Sequence, residues 1–234
     1  MTAQPTVILQ ARFASTRLPG KALIDIAGRT LLGHCLWRLS LEMPVIVATT
    51  TQGEDDAIAD EARRYGAEVF RGDEHDVLGR FVGAATAFGL VDVVRATADN
   101  PVVDVDGPRR VSDLRRRVQV DHVVECGLPI GAAVEAVTAE ALARAHGLTG
   151  DAYDREHVTP FIRRSPQFTA LRAVAPGHLR RPSLRLTVDT PEDLERMRAV
   201  LAKFRHVTRP SPLMDIIGAA DALAAQWVAD RKGA

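Results

Sequence analysis

The chain has 234 residues, 46% hydrophobic and 26% charged, the proportions of an ordinary globular protein able to bury one sizeable core. Its 30 Lys and Arg balance 30 Asp and Glu, so no global field draws it to nucleic acid or an anionic membrane, and aromatics at 5% offer little for base stacking. Cys35 and Cys126 make neither a disulfide framework nor a zinc spacing. No basic-then-apolar leader opens the chain and no apolar run reaches ~18 residues, so the expectation is a soluble cytoplasmic protein.

Short β-branched runs alternate with longer amphipathic ones. Thr6–Gln10 (TVILQ) reads as a buried strand, followed by a loop over 11–21 rich in Gly, Pro and Arg. Leu31, Leu32, Cys35, Leu36 and Leu39 recur at helical spacing and predict a helix over 30–41. Next come a strand at 44–48, a polar loop at 49–53, and a helix at 54–65 stopped by Gly66. A strand at 67–70, a helix at 77–88, a strand at 92–96 running into a turn over 97–104, a helix at 106–117 and a strand at 121–125 complete the regular part. This rhythm predicts a mainly parallel sheet covered on both faces. The pattern then loosens into a turn at 127–131, a strand at 133–138, a helix at 139–146, one polar helix over 151–164 and a strand at 168–174. A strand at 183–188 ends on Asp189, and helices at 191–204 and 213–230 close a single domain spanning 1–234. The arginine run at 115–117 is a solvated helix end.

In a parallel sheet the loop after a strand lies at the carboxyl edge, where ligands bind. Loop 11–21, ARFASTRLPGK, offers there the guanidiniums of Arg12 and Arg17, the Lys21 ammonium, the Ser15 and Thr16 hydroxyls, and Gly20. Arginine forks grip non-bridging oxygens and lysine serves as a mobile point charge, a set suited to a triphosphate. A basic surface loop turning at Pro19 and Gly20 has the same composition. The GxxxxGK[ST] pattern is absent. Asp99, in RATADNPVVD, reads either as a ligand for Mg²⁺ or as the cap of an Asp-Asn-Pro turn. In LRLTVDTPEDL, Thr190 and Asp193 read as a helix cap with Pro191 at its first position, which leaves Asp189 free. Glu156 and His157 by themselves make a polar helix face, and Arg80 a helix-surface arginine; His75 and His122 give no zinc spacing.

Taken in order, these motifs resemble the cytidylyltransferases that make CMP-linked 3-deoxy sugar acids, above all their spore-coat-polysaccharide branch, from residue 7 to about residue 198. DREHVTPF at 154–161 and LPIGAAVE at 128–135 match that branch, and Ala98 stands where members commonly carry glycine. The resemblance implies an α/β fold with a Rossmann-like, mixed, mainly parallel sheet of the nucleotide-diphospho-sugar transferase (GT-A-like) type. A small acceptor-side and dimerisation subdomain is expected at 126–182. The implied reaction is Mg²⁺-dependent transfer of CMP from CTP to a sugar acid or related anionic small molecule, with release of pyrophosphate. By the same resemblance Arg12, Ser15, Arg17 and Lys21 hold the nucleotide, Arg17, Lys21 and Asp99 are catalytic, and Asp99 with Asp189 ligates the metal. Glu156 and His157 would meet the acceptor and Arg80 the nucleotide or the acceptor, while Thr49 and Thr50, by their place at a strand end, read as contacts to the base or ribose. A homodimer is implied, with no nucleic-acid or membrane partner. Two alternatives stand beside this reading: an enzyme using another NTP with a phosphonate or sugar-phosphate acceptor, and a non-catalytic nucleotide-binding protein.

Overall fold

A computed structural model describes residues 4–15 and 17–232, with side chains as far as residue 225. Seven strands form one sheet in the order β5 (Glu68–Gly72), β4 (Val45–Thr50), β1 (Thr6–Gln10), β6 (Asp92–Thr97), β8 (Glu135–Thr138), β7 (His122–Cys126) and β9 (Ala170–Val174). All run the same way except β8, which is antiparallel to both of its neighbours. This is the mixed, mainly parallel sheet that the alternation of runs implies.

The apolar pattern explains the layers. In β1, Val7 and Leu9 face one side and Ile8 the other, and all three are fully buried, as a strand covered on both faces requires. Leu32 and Leu36 of α1 (Leu31–Leu39), Ile58 of α2 (Asp56–Arg64) and Val111 of α4 (Gly107–Val118) cover the Val7 side. Leu78 and Phe81 of α3 (Val77–Ala87), Leu142 of α5 (Ala139–Leu148) and Ile162 of α7 (Pro160–Arg164) cover the Ile8 side. A third cluster joins α8 (Pro191–Ala202) and α9 (Leu213–Lys232) to Leu186 and Val188 beyond the carboxyl edge of the sheet. The strand order turns at β1, whose flanks are β4 and β6, so a crevice opens above the ends of β1 and β6.

Two local expectations are corrected. Segment 183–188 is extended but is not a strand of the sheet; its one ladder contact is an isolated bridge from Arg185 to Ile130. Its backbone groups bond to loops instead: Leu186 N–H donates to Ile130 O at 2.8 Å, and Val188 N–H to Asp99 O at 2.8 Å. Gly131 permits this approach, since a Cβ there would lie 2.7 Å from Thr187 N and 2.9 Å from Asn100 Oδ1. The helix expected over 151–164 is two, α6 (Ala152–His157) and α7. They break at Val158, whose φ of 73° is left-handed, and Pro160 has no N–H with which to continue the first. In addition, Asp25–Ile26 and Arg29–Thr30 form a small hairpin, β2 and β3, around Ala27 and Gly28. The segment 126–182 contributes β8 and β9 to the main sheet.

Candidate active site

The crevice above β1 and β6 is a cleft of about 510 Å³. Its lining includes Arg12, Arg17, Lys21, Arg80, Arg95 and Arg185 against the carboxylates of Asp99, Glu156 and Asp189. Cations thus outnumber anions two to one in a chain with no net charge, so anion recognition is local.

Lys21 organises the floor. Following Gly20, it starts a 3-10 turn, Lys21–Leu23, and its Nζ donates to Asp189 Oδ1 and to Val188 O, each at 2.9 Å. The same Nζ lies 3.6 Å from Asp99 Oδ2. Two aspartates 90 positions apart in sequence therefore share one ammonium. Asp99 sits just past β6, where Thr97 Oγ1 donates to its Oδ1 at 2.6 Å and itself accepts from Asn100 Nδ2 at 2.7 Å. Ala98 takes no left-handed conformation, so alanine meets no backbone strain there. Asp189 closes the extended segment, and Val188 N–H bonded to Asp99 O sets the two carboxylates on one side of the cleft.

Asp189 is crowded with charge: Arg185 Nη2 donates to its Oδ2 at 2.8 Å, and Arg17 Nη2 stands 3.2 Å from its Oδ1. Burial pushes its carboxyl upward, but the hydrogen bond and charge of Lys21, with Arg185 and Arg17, hold it below the usual carboxylate range. The expected cap of α8 is present: Thr190 and Asp193 form a capping box. Burial also works against the charge on Asp193, yet bonds from Arg185 and the Asp189 amide keep it ionised to low pH.

The remaining expected residues divide. Ser15, Glu156 and His157 line the cleft, and Arg12 reaches Glu156 at 3.4 Å. Arg80 also lines it, but as a residue only 2% exposed whose Nη1 donates to Asp73 O and Glu74 O, so it is no helix-surface arginine. Thr16 lies outside the described residues. Thr49 is fully buried, and the Thr50 hydroxyl is bonded to Asp55. Neither lines the main cleft; Thr50 borders a second pocket of about 340 Å³ that shares Arg12 and Ala14 with it.

Sequence reasoning missed the opposite wall. Arg95 of β6 faces Glu135 of β8 across the ladder and donates to its Oε1 at 2.7 Å. The other oxygen of Glu135 bonds His122 Nε2 at 2.6 Å and accepts from Thr159 Oγ1 at 2.7 Å. Burial alone would protonate Glu135; the Arg95 charge and the His122 and Thr159 bonds hold it far below the ordinary range. A charged residue inside the apolar run GAAVEAVT was the available signal.

Among the described residues, no group of three or more His, Cys, Asp or Glu side chains could hold a metal. Two carboxylates from different chain segments, Asp99 and Asp189, nonetheless suit Mg²⁺, which keeps waters and takes substrate phosphate oxygens to complete its shell. The donor set fits that ion. Among the described residues, no helix is long and apolar enough to cross a membrane.

The sequence pattern of the cytidylyltransferase family matches residues 6–211. The spore coat polysaccharide biosynthesis protein SpsF of Bacillus subtilis is 34% identical over 207 residues, covering 84% of this chain and 85% of that protein. The 3-deoxy-manno-octulosonate cytidylyltransferase of Geobacter sulfurreducens is 38% identical over 104 residues, 42% of this chain and 40% of its own. The solved structure of a cytidylyltransferase from Leptospira borgpetersenii superposes with a TM-score of 0.87 at 28% identity, covering 95% of each chain.

Proposed function

Since the chain belongs to the cytidylyltransferase family and is a CTP-using nucleotidyltransferase, we propose that it transfers CMP to a sugar acid or related small anionic acceptor, with Mg²⁺ as cofactor. An acceptor oxygen attacks the α-phosphorus of CTP in line and pyrophosphate leaves. The chain contributes position and charge rather than a covalent intermediate. Arg12, Ser15, Arg17 and Lys21 bind the triphosphate and offset the charge that builds on the departing pyrophosphate. Arg80, Glu156 and His157 orient the acceptor. Asp99 and Asp189 are the residues that would hold Mg²⁺, which when bound supplies positive charge at the phosphate oxygens. The single observation that carries this reading is the Lys21 ammonium held against both Asp99 and Asp189.

The Geobacter relative's name supports a sugar-acid acceptor such as 3-deoxy-manno-octulosonate. The reading extends to a homodimer built on the acceptor side at 126–182, where edge strand β9 leaves Val174 73% exposed. It extends also to the cytoplasm, in keeping with two free cysteines.

The test is pyrophosphate release from CTP, ATP, GTP and UTP against sugar acids, sugar phosphates and phosphonates. Release confined to CTP with a sugar acid is expected. Release only with another nucleotide, or only with a phosphonate or sugar phosphate, replaces the acceptor and base named here. Asp99→Asn and Asp189→Asn are each expected to lower turnover by about a thousandfold with the far-UV spectrum kept; wild-type rates in either variant overturn the metal assignment.

A further inference from the structure

Asp55 occupies the N-cap position of α2 but caps nothing there. A capping aspartate would accept from the first turn of its own helix. This one points away, is 2% exposed, and spends both oxygens elsewhere. Its Oδ1 accepts from Phe13 N–H at 2.6 Å; its Oδ2 accepts from Thr50 N–H at 3.0 Å and from the Thr50 hydroxyl.

Phe13 is in turn the stake of the cationic loop. Its carbonyl accepts from Gly20 N–H at 3.0 Å, which closes the loop between the two residues. Its ring lies beneath Gly20: a Cβ at that residue would sit 3.1 Å from two ring carbons, and the φ of 66° already favours glycine. Arg12 precedes this closed loop, Ser15 and Arg17 lie within it, and Lys21 follows it. The loop is therefore fastened to the sheet at the end of β4 through one buried carboxylate.

We infer that Asp55 is the positioning residue of the loop that binds polyphosphate, acting through Phe13 and Thr50 without touching the nucleotide. The inference rests on the reading of that loop as the triphosphate site. Both oxygens of Asp55 face only donors, so asparagine, equal in shape, must turn its NH₂ onto an N–H in either orientation. Correct placement of Arg12, Arg17 and Lys21 then depends on a residue that is only 2% exposed and does not line the main cleft.

The experiment titrates CTP and inorganic tripolyphosphate, with Mg²⁺, into wild type, Asp55→Asn and Thr50→Val by calorimetry, alongside circular dichroism and thermal melts. In folded Asp55→Asn both ligands are expected to bind about tenfold or more weakly, the loss typical of a broken charged hydrogen bond. Hydrogen exchange is expected to rise in the peptide covering 12–20 and to stay unchanged in β1 and β6. A merely structural Asp55 would lower the melting temperature and leave both affinities, measured well below it, at wild-type values; that result overturns the inference. Should Asp55→Asn not fold, Thr50→Val strips one bond from the same carboxylate and is expected to weaken tripolyphosphate about threefold, with no change counting against the role. A wild type that binds neither ligand overturns the proposed function itself, and this inference with it.

Discussion

On one side of the cleft Arg17 leaves 64% of its side chain in solvent, and the Arg12 guanidinium touches Glu156 at 3.4 Å. Elsewhere along the cleft Arg95 is fixed by Glu135, which is fixed by His122 and Thr159, each of those four side chains at most 15% exposed. The first wall is a set of long side chains with free reach; the second is a set of charges whose partners are all protein. Long exposed cations can follow a polyphosphate through binding and release, and they contribute little to folding because solvent screens them. A buried ion pair does the reverse. It holds a shape, and removing either partner strands a charge in low dielectric. Catalysis and stability should therefore separate by wall.

The largest expected effect is at the floor between them, where Lys21 is 16% exposed and bonded to Val188 and Asp189. Lys21→Ala is expected to lose about 10²–10³ in turnover, the cost of removing one preorganised electrostatic group. Its melting temperature is expected to stay close to that of wild type, because Arg17 and Arg185 still serve Asp189. Kinetics paired with a melt check both halves. A large fall in stability would show that Lys21 belongs with the structural wall.

Glu135→Gln tests the fixed wall. It leaves Arg95 as an uncompensated cation and is expected to cost about 3–5 kcal/mol in urea unfolding, as breaking a buried pair does. A loss under about 1 kcal/mol would make Glu135 equivalent to a surface ion pair and erase the contrast between the walls.

Acid offers the same contrast without mutation. The Glu135 carboxyl titrates below its unfolded value, so its stabilisation is complete above that value and is lost as the pH falls through the acid range. Unfolding free energy is expected to decline from about pH 5 downward, and the decline is expected to be shallower in Glu135→Gln, measured by urea titrations at pH 3–7. Equal slopes in the two proteins would remove Glu135 from the acid dependence.

Arg17→Ala is expected to show the smallest change. Its guanidinium is mostly in water, so a rise in KM for CTP of roughly tenfold with unchanged unfolding is the expected outcome. A fall in kcat with KM unchanged would instead place Arg17 against the transition state alone.

The two walls also differ in how much of them could be read from sequence. Loop 11–21 and Asp99 are local: each follows a recognisable strand, and the carboxyl edge of a parallel sheet is where a ligand is expected. The capping box at Thr190 and Asp193 was likewise legible, and it left Asp189 outside the cap as expected. The Arg95, Glu135, His122 and Thr159 group was not. It exists because β8 lies between β6 and β7, which sets Arg95 opposite Glu135 and His122 two register positions away; periodicity carries no information on strand order. The surroundings of Thr50 were hidden for a related reason. A strand-end threonine reads as a ligand contact, yet the turn after β4 brings Asp55 back onto Thr50 and consumes its hydroxyl. Segment 183–188 has the composition of a strand, but its neighbours at 99 and 130 are loops, so its hydrogen bonds build no ladder.

The crossing of that segment has a consequence for biosynthesis. The bond between Lys21 and Asp189 spans 168 positions, so the proposed reaction centre cannot assemble until residue 189 has left the ribosome. A product terminated near residue 180 would carry every strand of the main sheet and still be inert. Assembly of that contact is thereby tied to translation past residue 189, and a fragment that carries the whole sheet still lacks it.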